Sequence, residues 1–486
     1  MLKFRFLVIL PVILAYGRPS TCSGYETTFM VTRDYRIRPF PETVTIVLDW
    51  KALQMHGDFD VTDNNFGKKL TKRIVDIDND KQPDKVVIEY VFASDEQLYS
   101  FSIKPNSQLI AFSSSNATVD PRLKITYLKS SADVANWPDK IIESVMSFYP
   151  ELEKYDYGTA FFLTAMFQQY QKTKNRSYYN YIKKWADRFI DSHGALNPKY
   201  YKVDEYRLDD LLPGRIFLLL YDVTRDNKYK SAAQQLRQQL QYQPRTSDGG
   251  FWYRQTYPYQ MWLDGAYMSD VFLMQYGKVF NDPAIFKDAM QQIKLVHEHN
   301  GNTDTGLLYH GWDESGNPTW ANEDTGASPE FWSRGIGWYY LTLLECIDYV
   351  PLESPDRKEL GMMFRELTKP LQKFEDEKTG LWYQVINKSY EPRNWIETSA
   401  SAMFAYGFAK GFNKGILDKT YLAAAQKAFA SLQRDHILFD DQGSLYLDGT
   451  AKSDTQGDLD YYLSSERRVN DFKGLGALLY LSMELD

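Results

Sequence analysis

The sequence predicts a mainly α-helical fold, an (α/α)6 barrel of six helical hairpins preceded by a small N-terminal β-sheet domain of sandwich type. Three observations predict it. From about Asp139 onward the apolar residues recur with helical period, in segments joined by short turns or by long loops rich in Gly and aromatics. Helix ends repeat: Tyr170 with Thr173, Tyr221 with Thr224, and Tyr276, at spacings of 51 and 55 positions, which suits one helical hairpin per repeat. Before them, from Tyr25 to about Lys129, β-branched and aromatic runs alternate with turn residues. A linear solenoid is the alternative for the helical part, but its period would be shorter and more regular.

Taken in order, the chain opens on Lys3 and Arg5, an apolar run from Phe6 to Leu14 and then small residues. Residues 1–24 read as a cleaved export signal, so the expected location is the periplasm or the medium. Cys22 follows Pro19, Ser20 and Thr21, a poor match to a lipoprotein signal. Only Cys346 accompanies it, which excludes a disulfide framework. Strands are expected at Thr28–Thr32, Val44–Leu48, Val86–Val91, Leu98–Ile103 and Leu123–Tyr127, within a domain covering 25–133. Asp76, Asp78, Asp80 and Asp84 begin a calcium-loop pattern, but Lys81 and Val87 stand where Gly and Glu are needed, and the segment reads as a polar hairpin turn. The barrel, 134–486, has helices expected to begin near Asp139, Tyr157, Ser177, Asp209, Asn227, Asp264, Pro283, Pro329, Ser354, Trp395, Asp418 and Asp471. Its longer connections, 243–263, 300–328, 375–394 and 436–470, would gather at one mouth, where rigid scaffolds carry binding and catalysis.

With 56 basic and 64 acidic residues the chain carries a formal charge of -8, which disfavours nucleic acid or an anionic membrane as main partner and leaves a small anionic ligand open. No stretch after the leader is apolar enough to span a membrane. Six His with no HExxH or paired-Cys pattern argue against a metal site, and no cofactor is expected. The expected assembly is a monomer or weak oligomer.

The block from Pro244 to Gly265, PRTSDGGFWYRQTYPYQMWLDG, sets Asp264 two residues after Trp262 among aromatics and glycines. Sugars bind through apolar faces on aromatic rings and hydroxyls on fixed polar groups, so the block suits a carbohydrate site; an aromatic turn that only packs a core is the alternative. Three more clusters fall at successive inner-helix starts: Asp209 with Asp210, His310 with Trp312 and Asp313, and Arg334 with Trp338. Two carboxylates from separate hairpins with an Arg and a His are the kit for acid and base work on an acidic sugar. The structural alternatives are a helix cap for Asp209 or Asp210, a loop histidine for His310, and an Arg334 paired with Glu330 one turn back.

These residues resemble a known family. GGFWYRQTYPYQMWLDGAYM, HGWDES, SPEFWSRGIGWY, TGLWYQV, NWIETSASAMF and YYLSSERRVNDFKG, in this order, resemble the unsaturated rhamnogalacturonyl hydrolases of glycoside hydrolase family 105, related to the unsaturated glucuronyl hydrolases of family 88. The resemblance covers about 150–486. It implies removal of 4,5-unsaturated uronic acid from the non-reducing ends that polysaccharide lyases leave, with Asp264 as general acid and then base and Asp209 as the partner carboxylate. It implies sugar binding by Trp262, His310, Arg334 and Trp338, with Arg334 facing the uronate carboxylate, and Tyr253, Arg254 and Tyr157 complete the substrate-binding set. A carboxyl that donates near neutral pH must be held protonated by burial or a neighbouring carboxylate, and Asp209 opposite Asp264 suits that. Tyr253 and Arg254 stand where the family often has His and Lys, and Arg215 replaces a common Lys, departures expected near the sugar site. Unsaturated galacturonyl-rhamnose from pectin is the expected substrate. Unsaturated glucuronyl ends from ulvan, arabinogalactan or similar glycans, and an inverting glycosidase acting on a saturated sugar, are the alternatives.

Overall fold

The computed structural model describes residues 27–33, 43–49, 59–75, 85–91, 98–105, 112–113, 123–129, 133–452 and 455–486. Residues 1–24, with Cys22, and the segment Asp76–Asp84 lie outside them. The chain divides into two compact units, the first made of the segment up to Ala132 together with Ile437–Gly449 and Glu466–Val469.

In the first unit, β1 (Thr27–Arg33), β2 (Thr43–Asp49), β3 (Phe59–Asp63), β4 (Lys68–Leu70), β5 (Lys72–Val75), β6 (Lys85–Val91), β7 (Leu98–Pro105), β8 (Phe112–Ser113) and β9 (Leu123–Leu128) form two sheets. Their orders are β4-β3-β7-β1-β9 and β2-β6-β5-β8. Every pairing is antiparallel except β5 with β8. Strand side chains alternate between faces, so Phe29, Val31, Phe59, Val61, Phe101 and Ile103 from one sheet meet Ile46, Leu48, Val86 and Ile88 from the other in one apolar core. The β3, β4, β5 and β8 strands, absent from the sequence expectation, are short, and sheet pairing rather than intrinsic preference extends them.

Residues 437–449 and 466–469, which sequence order assigns to the barrel, belong to this unit. Backbone pairing and buried polar groups hold them there. Phe439 and Lys129 exchange two hydrogen bonds at 2.8 Å. The Asn65 amide donates to the Arg467 carbonyl at 2.8 Å and the Arg467 N–H returns to Asn65 O at 2.7 Å.

The second unit is the barrel. Six helices, Tyr157–Thr173, Gly214–Thr224, Val271–Phe280, Ser333–Cys346, Thr398–Asn413 and Phe472–Leu485, each contact the next, and the last contacts the first, so the inner ring closes. All fourteen residues of Ser333–Cys346 are buried, as befits a helix covered on every side. The outer helices, Trp137–Phe148, Arg176–Arg188, Asn227–Tyr242, Pro283–Asn300, Pro355–Lys373 and Lys419–Asp435, bury one face only. Asp156, Asp226, Asp282, Ser354, Asp418 and Asp471 each accept a backbone N–H at a helix start. The recurrent helix ends close on left-handed residues, Lys174 (φ 60), Arg225 (φ 57) and Asn281 (φ 53).

Three helix starts differ from expectation. Asp209 lies in a 3-10 turn, Leu208–Leu211, ahead of the α-helix. Trp332 is extended and pairs with Val385, so that helix begins at Ser333 rather than near Pro329, and Glu397, not Trp395, caps its helix. Among the described residues no helix is long and apolar enough to cross a membrane.

Candidate active site

The strand Gln260–Trp262 pairs antiparallel with Gly311–Asp313 and then turns directly into helix, so Asp264 stands at an inner-helix start. The Leu263 N–H donates to the His310 carbonyl at 3.0 Å, fixing the two side by side. Room for the imidazole depends on glycine: a Cβ on Gly335 would lie 3.2 Å from His310 Cδ2, and one on Gly311 would lie 2.6 Å from the Gln456 amide.

His310 is fully buried. Its Nε2 lies 3.1 Å from Asp264 Oδ2 and its Nδ1 2.8 Å from the Tyr462 hydroxyl, giving a Tyr462–His310–Asp264 relay in which each group can pass a proton to the next. Trp332 packs on the imidazole at 4.4 Å. His310 is therefore a built-in partner of Asp264 rather than a loop residue.

Asp209 sits across from Asp264 on its 3-10 turn, which is anchored by Leu208 N–H donating to the Tyr253 carbonyl at 3.1 Å. Its two oxygens have separate partners: the Tyr253 hydroxyl donates to Oδ1 at 2.5 Å and Arg254 Nη2 approaches Oδ2 at 3.5 Å. Burial pushes Asp209 above the ordinary carboxylate range; Arg254, the Tyr253 hydroxyl and Arg207 pull it back, and the charge of Asp264 adds to the rise. Asp210 is buried too, and burial raises it to about 7 against the pull of Arg207. Neither aspartate caps a helix.

Around this pair the aromatics close in. Tyr253 and Tyr257 stack on Trp262 at 4.0 and 5.0 Å. The Arg254 guanidinium lies over Tyr257 at 4.6 Å and Tyr253 at 5.2 Å, and its buried Nε has no hydrogen-bond partner among the described residues. The cation is thus held in place with a donor to spare.

The remaining predicted residues are placed more deeply. Arg334 is fully buried, with Nη1 3.4 Å from Glu397 and 2.5 Å from the Ala451 carbonyl and Nη2 2.7 Å from the Lys452 carbonyl. Glu330, the neighbour expected for it, pairs instead with Lys388 at 2.7 Å because Glu397 reaches Arg334 from the facing helix start. Trp338 is buried against Phe161 and Tyr267, both at 4.9 Å, and meets Tyr157 at 6.1 Å. Trp312 stacks on His299 at 3.7 Å and Asp313 closes its own turn onto Ser315, so both leave the cluster. Arg215, expected near the sugar site, is buried and paired with Glu345 at 2.6 Å, because its helix turns it toward the barrel interior. The sequence reading missed Tyr462, Tyr257 and Trp332; only the YYLSSE motif hinted at the first. Among the described residues no three His, Cys, Asp or Glu side chains are grouped to hold a metal ion.

A buried carboxyl hydrogen-bonded to a histidine, near a second buried carboxyl on a helical barrel, suits work on sugars, and comparison with known proteins gives the family. The model described as Glycosyl Hydrolase Family 88 matches residues 131–486. A glycoside hydrolase of family 105 from C. acetobutylicum ATCC 824 superposes with TM-score 0.69 at 32% identity, over 72% of this chain and 99% of that one. The chain belongs to the family 88 and 105 glycoside hydrolases. This hydrolase is also 32% identical over 221 residues to Protein Atu3128 of Agrobacterium fabrum (strain C58 / ATCC 33970), covering 43% of this chain and 94% of that one. It is 26% identical over 281 residues to the unsaturated rhamnogalacturonyl hydrolase YesR of Bacillus subtilis (strain 168), covering 57% and 74% respectively. It is thus a hydrolase of the unsaturated-uronate family, built on the (α/α)6 barrel.

Proposed function

We propose that this hydrolase cleaves unsaturated galacturonyl-rhamnose derived from pectin, by hydrating the vinyl ether of the terminal 4,5-unsaturated uronate. The observation that carries the reading is the Tyr462–His310–Asp264 relay facing Asp209; the likeness to a rhamnogalacturonyl hydrolase supports the choice of sugar.

In this reading Asp264 gives its proton to C4, positive charge develops at C5 and the ring oxygen, and Asp264, now a carboxylate, takes a proton from the water whose oxygen bonds to C5. The product is a hemiketal. Its ring opens to a ketone at C5 and a hemiacetal at C1, whose collapse breaks the glycosidic bond and releases the second sugar with its hydroxyl restored. One water is consumed. Asp209, whose charged form Arg254 and Tyr253 favour against the effect of burial, stabilises the cationic transition state in its ionised form. Arg254, whose side chain is 23% exposed, receives the uronate carboxylate. Arg334 acts from behind, its charge committed to Glu397. Export, which the leader from Lys3 to Leu14 supports, would place the enzyme beside lyase products.

Once C4 is sp2, galacturonate and glucuronate yield the same terminal sugar, so the choice between sources falls to the anomeric configuration and the next sugar. The test is to offer purified enzyme lyase digests of pectin, ulvan and glycosaminoglycans and follow loss of the ultraviolet absorbance of the conjugated uronate. Loss on the pectin digest is expected; loss only on the others would overturn the sugar assignment, and cleavage of saturated glycosides alone would overturn the hydration chemistry. Asp264→Asn should abolish turnover while disaccharide binding persists.

A further inference from the structure

Six residues beyond Asp264 stands a buried carboxyl that the proposed chemistry does not use. Asp270 is 0% exposed. Its Oδ1 lies 2.9 Å from Ser269 Oγ, and Ser269 Oγ lies 2.8 Å from the carbonyl of Gly265, the residue that follows Asp264. Asp270 Oδ2 has no hydrogen-bond partner among the described residues. It borders a small space of about 10 Å³ walled by Trp262, Gly265, Ala266 and Gln292, among others. The backbone between the two aspartates is unusual as well: Ala266–Asp270 forms a π-helical turn, a wide turn that recurs at functional sites.

Proton counting decides the state of this chain of groups. A serine hydroxyl carries one proton. Were Asp270 ionised, its carboxylate and the Gly265 carbonyl would both be acceptors competing for that proton, and Oδ2 would hold charge away from water with no donor from the described residues, a costly arrangement. The acid form satisfies both contacts at once, with Asp270 O–H donating to Ser269 Oγ and Ser269 O–H donating to Gly265 O. Burial, which pushes Asp270 well above the carboxylate range, agrees.

We infer that Asp270 is a positioning residue for Asp264: as a neutral acid it donates through Ser269 to the Gly265 carbonyl, and this relay pins the wide turn that aims Asp264 at His310. The inference rests on the reading of Asp264 as the acid. The bond from Ser269 ties this turn to the carbonyl of Gly265, the residue next to the reacting side chain. The relay acts through geometry and not through charge, which makes it separable from an electrostatic role.

Three variants test it. Asp270→Asn keeps a donor in place of the acid O–H, so kcat, KM and the pH profile should stay near those of the unaltered enzyme. Asp270→Val and Ser269→Ala break the relay, and each should lower kcat about 10- to 100-fold with KM unchanged, the scale on which a small misplacement of a reacting group acts. Disaccharide binding, measured in an Asp264→Asn background, should be the same with and without either change. Unaltered kcat in both relay-breaking variants overturns the inference. So does an acid limb displaced by Asp270→Asn, which would mean that Asp270 acts as a charge, and so does a kcat loss matched by an equal loss of binding, which would reduce Asp270 to packing. Turnover by Asp264→Asn alone would instead remove the acid assignment itself, whatever the Asp270 variants do.

Discussion

Replacing Tyr253 with Phe removes one hydroxyl from the site and leaves the ring stacked on Trp262. That hydroxyl is 2.5 Å from Asp209 Oδ1, and tyrosine and aspartate are 4% and 5% exposed, so water does not substitute for it freely. A hydrogen bond to a charged group contributes about 1.5–3 kcal/mol, and one unit of pKa corresponds to about 1.4 kcal/mol, so the loss should raise Asp209 by about one to two units. The sign follows from the donor: the phenol stabilises the carboxylate, and without it the proton is held to higher pH. Asp209 is already above the ordinary range through burial. Because the mechanism needs it ionised, the acid limb of kcat/KM should move upward by the same about one to two units, with the rate on the alkaline side of that limb little changed. The assay is the pH profile of absorbance loss on the unsaturated disaccharide, beside the unaltered enzyme. An acid limb that does not move would refute the assignment of Tyr253 as a group that favours the charged form of Asp209.

Further expectations concern the cation, the second buried aspartate and one tight turn. Arg254→Met keeps an apolar stem against Tyr257 but removes the charge; KM for the unsaturated disaccharide should rise about 10- to 100-fold, the equivalent of about 1.4–2.8 kcal/mol, and steady-state kinetics will show it. Asp210 has its pKa raised to about 7, so the folded protein holds this proton where the unfolded chain has lost it, and the contribution to stability is full below the unfolded value of about 4 and is lost as pH rises through about 7. Asp210→Asn should therefore flatten the fall of Tm across that window, and an unchanged slope would contradict the burial account. Gly326 has φ 74, and a Cβ there would lie 2.5 Å from the Asp313 carbonyl. Gly326→Ala should lower stability by about 1–3 kcal/mol, read from chemical denaturation, and loosen the loop that supports the Gly311–Asp313 strand.

Local rules carried much of this protein. Helical periodicity and start signals such as Ser354, Asp418 and Asp471 set the hairpins of the barrel, because apolar faces and caps are written in residues a few positions apart. The strip from Tyr253 to Asp264 and the RLDDLLPG turn named the two carboxylates for a similar reason: each motif packs its chemistry into one short stretch. What local rules could not reach is partnership. His310 and Tyr462 are 152 positions apart, and only closure of the ring brings the loops that carry them together. Arg334 has Glu330 four residues back, as a helix would pair it, yet takes Glu397 from the next inner-helix start because the barrel interior offers that carboxylate at closer range. The assignment of 437–449 and 466–469 to the β unit rests on hydrogen bonds from Asn65 and Lys129, residues hundreds of positions earlier. Sequence alone thus determined the helical hairpins, five of the strands and the two carboxylates that can do chemistry. Tertiary structure decided which of them are paired, buried and charged, since those depend on groups distant along the chain sharing one dry volume.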